Sequence, residues 1–206
     1  MASQHERRET TKSAILTAAA KIIDDRGFND CSISAIAKET PYTTGAIQHH
    51  FKSKDELLYS IVTDHVFPMS SPTIDESILQ VSLEQRCRII IETMWSYYGH
   101  RNYSIVWQII LACKKNVKLR NEINQFFHAA EAETEAKIKI VFSDIPFTVN
   151  QIAELRQHLS AQLRGISLLR FTTDAKGETD SQLEYLIKLV GLKIREDANT
   201  LNSKSL

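Results

Sequence analysis

Between Ser32 and Ser53 the chain offers three helix starts and one hard stop, and this punctuation limits what it can fold into. Ser32, Thr43 and Ser53 each stand directly before a helical pattern, where a hydroxyl accepts from the first free N–H groups of a helix. Pro41 disfavours helical geometry at Thr40, so the helix opened by Ser32, with Ile33, Ile36 and Ala37, is expected to end near Glu39. Tyr42 and Ile47 have the spacing of a hydrophobic staple around the Thr43 cap, and Phe51 completes that short helix. Glu56 follows Ser53 at the spacing of a capping box, with Leu57, Leu58, Ile61 and Val62 as the apolar side of the next helix. Short helices joined by a tight turn result.

Upstream, Ile15, Ala18, Ala19, Ile22 and Ile23 recur at three and four, which predicts a helix from about Thr10 to Arg26. Gly27 stands where a left-handed residue ends a helix, with Phe28 placed to fold back on Ile23. Downstream, Phe67–Asp75 breaks the pattern with two prolines and three hydroxyl residues, and reads as a boundary. Helical patterns follow near Leu83–Tyr98, Tyr103–Lys114, Leu119–Phe142, Val149–Phe171 and Ser181–Glu196. Only 6 glycines and 4 prolines serve 206 residues, too few for the turns of an all-β protein. The expectation is an all-α fold, with a helix-turn-helix domain over residues 1–66 and a larger helical domain over 67–206.

A helix-turn-helix braces one helix on the phosphate backbone while the second enters the major groove. Side chains there must bond base edges or touch a thymine methyl, and Thr43, Thr44, Gln48 and His49 are suitable types. Gln48 can pair with an adenine edge. Gly45 costs about 1 kcal/mol against alanine inside a helix, which a close approach to a neighbouring helix or a phosphate would explain. Lys54 sits in a first turn, where the macrodipole disfavours a cation, and a phosphate there would reverse the sign. Lys52 is nearby, and the other reading is two solvated lysines. Arg7, Arg8 and Lys12 are candidates for an N-terminal arm on DNA, against a leader without structure.

The stretch from Ser13 to Leu58 resembles the DNA-binding domain of the tetracycline-repressor (TetR) family of bacterial transcription regulators. The matching residues are Ile15, Ala18, Ala19, Gly27, Phe28, Ile36, Ala37, Gly45, Ile47, His50, Phe51 and Lys54 to Leu58. The resemblance covers the first third of the chain. It implies DNA contacts from Ser32, Thr43, Thr44, Gly45, Gln48, His49, Lys52 and Lys54. Two departures stand out. Pro41 and Tyr42 replace the glycine and small aliphatic residue usual in the turn, and Gln48 stands where the family commonly has tyrosine.

The resemblance assigns the remaining helices to sensing and dimerisation. The aromatic cluster Trp95, Tyr98, Tyr103, Trp107 and Phe127, with the polar Glu92 and Gln108, is the candidate effector pocket, since tyrosine and tryptophan join apolar bodies to polar tips. Tyr97 and Phe126 belong to the same aromatic cluster, His100 and Arg101 join Glu92 and Gln108 as candidates to orient a polar ligand, and the other reading is a plain aromatic core. Ile152, Leu155, Leu159, Leu163, Ile166 and Leu169 form one stripe and Leu183, Leu186, Ile187, Val190 and Ile194 another. Leu155, Leu159, Leu163, Ile166, Leu186, Val190 and Ile194 are the candidate dimer interface, with Gly165 and Gly191 allowing close approach, and the other reading is ordinary intrachain core.

The expected function is a ligand-responsive transcriptional regulator, a homodimeric repressor released from a palindromic operator by a small molecule. The alternative is a helical carrier or scaffold without sequence-specific DNA binding. A net charge of +0 and Pro41 motivate it. No zinc-protease pattern, phosphate-cradling glycine loop, nucleophile elbow or Cys/His cluster occurs, so neither enzyme activity, nor metal, nor cofactor is expected. His49 and His50 point about 100° apart on a helix and make no two-ligand face. Cys31, Cys87 and Cys113 are odd in number and widely spaced, which fits buried thiols in a reducing cytoplasm. The charged N-terminus shows no signal peptide, and no apolar run spans a bilayer.

Overall fold

The computed structural model describes residues 3–66, 74–169, 171 and 176–203. Among these residues the structure is helical without a strand. The helices are α1 (Gln4–Arg26), α2 (Ile33–Glu39), α3 (Thr44–His50), α4 (Lys54–Ser60), α5 (Leu83–Tyr98), α6 (Tyr103–Ala112), α7 (Val117–Val141), α8 (Val149–Leu169) and α9 (Lys176–Ser203). A π-helical turn, Ile61–Val66, extends α4. Most of the expected boundary segment, residues 67–73, lies outside the described residues.

Two compact units divide the chain: Met1–Met69 with Arg101–Phe127, and Ser70–His100 with His128–Leu206. In the first unit α1 buries Ile15, Leu16, Ala19, Ile22 and Ile23 against α2, α6 and the π turn. Ile36, Ile47, Phe51, Leu57 and Leu58 complete the centre of the three-helix head, each 0 or 1% exposed. Burying each such side chain contributes about 1.5–3 kcal/mol. Ile105, Val106 and Ile109 of α6 and Leu119 and Ile123 of α7 also belong to the buried set of this unit.

α1 begins six residues before the apolar period shows itself. Ser3 caps it through a complete capping box, accepting from Glu6 N at 3.1 Å while its own N–H donates to Glu6 Oε2 at 2.6 Å. Arg7, Arg8 and Lys12 are therefore helical residues, not an extended arm, and Lys12 pairs with Asp64 at 2.6 Å. Gly27 ends α1 at φ 89°, ψ 164°, a region even more restricted to glycine than the left-handed one expected.

The second unit packs α5 against α8 and α9, and α8 against α9. Its core holds Ile90, Ile91, Phe142, Leu159, Leu163 and Ile187, all at 2% exposure or less. It also buries two arginines. Arg86 bonds both carboxylate oxygens of Asp144, at 2.6 and 2.9 Å, and the Val141 carbonyl. Arg156 bonds Glu135 at 2.8 Å and Glu131 at 3.2 Å.

Candidate nucleic-acid interface and effector residues

The turn between α2 and α3 forms without a positive-φ residue. Thr40 takes φ −132°, ψ 159°, the extended geometry a following proline demands, and its hydroxyl donates to the Ile36 carbonyl at 3.0 Å. Pro41 is thus reached through extended backbone at Thr40, without the positive φ that a glycine in the turn would supply. Ser32 accepts from Ala35 N and Thr43 from Ala46 N, each at 3.2 Å, so both caps form as expected. A capping oxygen uses one lone pair, which leaves the Thr43 hydroxyl proton available for a donor contact, while the Ser32 hydroxyl also shares a hydrogen bond with the Ser34 hydroxyl at 3.1 Å.

Ser32, Thr43, Thr44, Gly45, Gln48, His49, Lys52 and Lys54 are all exposed. The hydrophobic face of α3 is Ile47, wholly buried, so Gln48 and His49 are left on the outer side. Gly45 does not mark a tight helix contact: a Cβ there would meet only Thr43 Oγ1, at 3.9 Å. Lys54 has a partner that sequence spacing did not show. Its ammonium lies 4.7 Å over the Phe28 ring, a cation–π contact that offsets the unfavourable first-turn dipole without a phosphate. The Ser53 cap forms at 3.1 Å, but the Glu56 carboxylate accepts from Lys52 N at 2.8 Å, one residue earlier than the expected box.

His49 and His50 meet edge to face with centroids 6.0 Å apart. Burial first, then the neighbouring His49 and Arg8, holds His50 below the ordinary histidine value. No metal-holding cluster of His, Cys, Asp or Glu occurs among the described residues. Burial pushes the Cys31 and Cys113 thiols up and the Cys87 thiol to about 11, so all three stay protonated near neutrality. No described helix is long and apolar enough to cross a membrane.

The candidate effector residues divide between the units: Glu92, Trp95 and Tyr98 fall in the second, Tyr103, Trp107, Gln108 and Phe127 in the first. Tyr98 is buried and its hydroxyl bonds Ser160 at 3.2 Å, so its polar tip already serves the core. Trp95 stacks where a Cβ on Gly99 would collide with the indole, which accounts for the glycine. Glu92 lines an open, mainly apolar groove with Ile74, Ile78, Val81 and Ile89. Arg101 is bound to Asp24 at 2.9 Å rather than free for a ligand. In the first unit Tyr103 and Trp107 pack edge to face, 6.2 Å apart. The Trp107 indole N–H is buried with no hydrogen-bond partner among the described residues, an arrangement that a ligand acceptor would satisfy.

The stripe expected at a dimer interface lies largely inside the chain. Leu159, Leu163, Ile166, Leu186, Val190 and Ile194 are 0 to 8% exposed, and Leu155 is half-buried. The most apolar face of each helix goes to its own core first. A second stripe stays outside: Tyr185 and Leu192 at 61% and Leu189 at 45% on α9, with Leu168 at 43% on α8. Gly165 faces open space, with nothing within 4 Å of where a Cβ would stand, so the close helix approach expected there does not occur within the described chain. Gly191 sits 4.0 Å from the Cys87 sulfur, an ordinary contact.

Residues 15–61 match the family model described as bacterial regulatory proteins, tetR family. The chain is 26% identical over 112 residues to the fatty acid metabolism regulator protein of Bacillus subtilis, covering 54% of this chain and 57% of that one. It is 37% identical over 54 residues to the HTH-type transcriptional regulator UidR of Escherichia coli, covering 26% and 28%. The chain thus spans little more than half the length of the first relative and under a third of the second. Its fold is similar to that of the transcriptional regulator FadR from Bacillus subtilis in complex with stearoyl-CoA, with a TM-score of 0.62 over 84% of this chain and 96% of that one, at 21% identity.

Proposed function

We propose that the chain, whose residues 15–61 match the family model described as bacterial regulatory proteins, tetR family, is a ligand-responsive transcriptional regulator that reads a palindromic operator as a homodimer. The observation that carries the reading is α3: a capped helix whose buried face is Ile47 and whose exposed face is Thr44, Gly45, Gln48 and His49. The Thr43 hydroxyl serves as a donor to phosphate, and Gln48 pairs with an adenine edge.

The homodimer joins through the exposed α9 stripe Tyr185, Leu189 and Leu192 with Leu168 of α8, in place of the inner stripe. A double Leu189→Asp, Leu192→Asp variant is expected to sediment as a monomer with unchanged helicity. A variant that remains dimeric would place the contact elsewhere.

The effector is a small molecule with an apolar body and an acceptor for the Trp107 N–H. Stearoyl-CoA in the FadR complex makes acyl thioesters the first compounds to try. The effector releases the protein from its operator if it binds the DNA-free conformation more tightly, since only differential affinity shifts the balance. The test is enrichment from a random duplex pool, followed by titration of the bound duplex with acyl thioesters. Enrichment of a palindrome with half-sites about 34–36 Å apart, released by ligand, is the expected outcome. A protein that enriches no duplex at low salt is a carrier or scaffold instead.

A further inference from the structure

Resting on that reading, we infer that the turn between α6 and α7 is a second DNA-contacting surface, which grips backbone phosphates beside the helix-turn-helix. The charge distribution raises the need for one. Residues 1–69 carry eight lysines and arginines against nine aspartates and glutamates. Several of those cations are already used: Lys12 pairs with Asp64, Lys21 with Asp25 and Arg26 with Glu39. A reading head with no cationic surplus gains little of the phosphate attraction that supplies most non-specific affinity. Residues 101–127, in the same unit, carry five cations against Glu122 alone. Arg101 is spent on Asp24. The other four, Lys114, Lys115, Lys118 and Arg120, crowd into seven residues and are all exposed.

The turn is held in place rather than merely charged. Cys113 and Leu119 are buried on its inner side. Asn116 N donates to the Cys113 carbonyl at 2.8 Å, and the Asn116 side-chain oxygen caps α7 by accepting from Leu119 N at 3.1 Å. The Arg120 guanidinium donates to the Lys114 carbonyl at 3.2 Å. The Asn116 side-chain nitrogen donates to Asp55 Oδ2 at 2.8 Å, which fixes the turn beside Lys54, the candidate phosphate-contacting lysine of α4. Among the described residues no ion pair involves Lys114, Lys115 or Arg120, and Lys118 reaches Glu122 only at 4.0 Å. Lys118 and Arg120 also stand in the first turn of a 25-residue helix, where the dipole disfavours cations. Four exposed cations on an anchored turn, next to a reading head without surplus charge, fit a polyanion bound at that head.

The test is a Lys114→Gln, Lys115→Gln, Lys118→Gln variant of the full chain, leaving Arg120 to hold the turn. Binding to the duplex enriched by the wild type is measured across a salt series. Each phosphate left without its cation lowers the slope of log K against log salt by about 0.9. A fall of about 2 or more per dimer, with melting temperature and enriched motif unchanged, is expected. If the triple variant loses helicity, Lys114→Gln and Lys115→Gln taken singly, whose side chains make no ion pair, should each lower the slope by a smaller step. An unchanged slope in a folded variant overturns the inference and leaves the regulator reading standing. A changed motif with an unchanged slope overturns it too. So does wild-type binding to phosphatidylserine vesicles that the variant loses while its DNA slope is kept, which would assign the patch to a membrane surface. A wild type that enriches no duplex removes both this inference and the function it rests on.

Discussion

The two units are built by different means. The first is organised by contacts between near neighbours in sequence: Ser3 with Glu6, Ser32 with Ala35, Thr43 with Ala46, Ser53 with Glu56. Its fully buried side chains are apolar, and its charges sit at the surface. The second buries Arg86 and Arg156 and neutralises them with carboxylates far away in the chain, 58 residues in the case of Asp144. On the proposed function, a head that offers one face to DNA suits local caps and a dry centre, and a body that takes a ligand suits satisfied polar groups in its core.

Removing the centre of the head should have the largest effect. Phe51 is 1% exposed, and Phe51→Ala should lower stability by about 3–5 kcal/mol, seen in urea denaturation. Hydrogen exchange should rise across α1 to α4 first. A uniform rise in both units would erase the distinction between them. In the second unit, Asp144→Ala leaves the Arg86 guanidinium buried with only the Val141 carbonyl, at 3.1 Å. The expected loss is about 3 kcal/mol, at the lower end for broken buried pairs because Asp144 is half exposed. A loss under about 1 kcal/mol would put the pair in the class of surface bridges.

Acid sharpens the same contrast. His50 is held low by burial, then by His49 and Arg8, so the unfolded chain takes that proton first as pH falls. Its contribution is complete above the ordinary histidine value of about 6.5 and is lost as pH drops through the lowered folded value. Asp144 is held low chiefly by its bonds to Arg86, so its contribution lasts until pH falls below the ordinary carboxylate range. Hydrogen exchange on a descending pH series should show α3 and α4 loosening before α5 and the segment around Asp144. The reverse order would contradict both assignments. The smallest effect expected is Thr43→Ala, about 1 kcal/mol from removal of the cap, read by thermal melting together with weaker DNA binding in the absence of the hydroxyl.

The same division governs what could be read in the sequence. The caps at Ser32, Thr43 and Ser53, the end of α2 at Glu39 and the span Leu83–Tyr98 follow from residues within four positions of each other, and the structure has them. The start of α1 was hidden because Ser3 and Glu6 lie in a polar run with no apolar period to mark a helix. The cation–π contact of Lys54 with Phe28 and the pairing of Arg86 with Asp144 join distant residues and leave no periodic trace. Apolar spacing on α8 and α9 identified helices correctly but could not tell a face turned to the core from one turned to a partner. Leu186 and Leu189 differ by one turn in sequence and by 8% against 45% in exposure.

Base reading by α3 underlies the whole functional assignment, and Gln48 is its most specific element. The decisive measurement is motif enrichment from a random duplex pool by the wild type and by Gln48→Ala, side by side. A palindrome is expected for the wild type. For the variant, preference should relax at one symmetric position per half-site, with a loss of about 1–3 kcal/mol against the preferred base. Identical motifs for both proteins would contradict the assignment of Gln48, and no motif for the wild type would contradict base reading by α3 altogether.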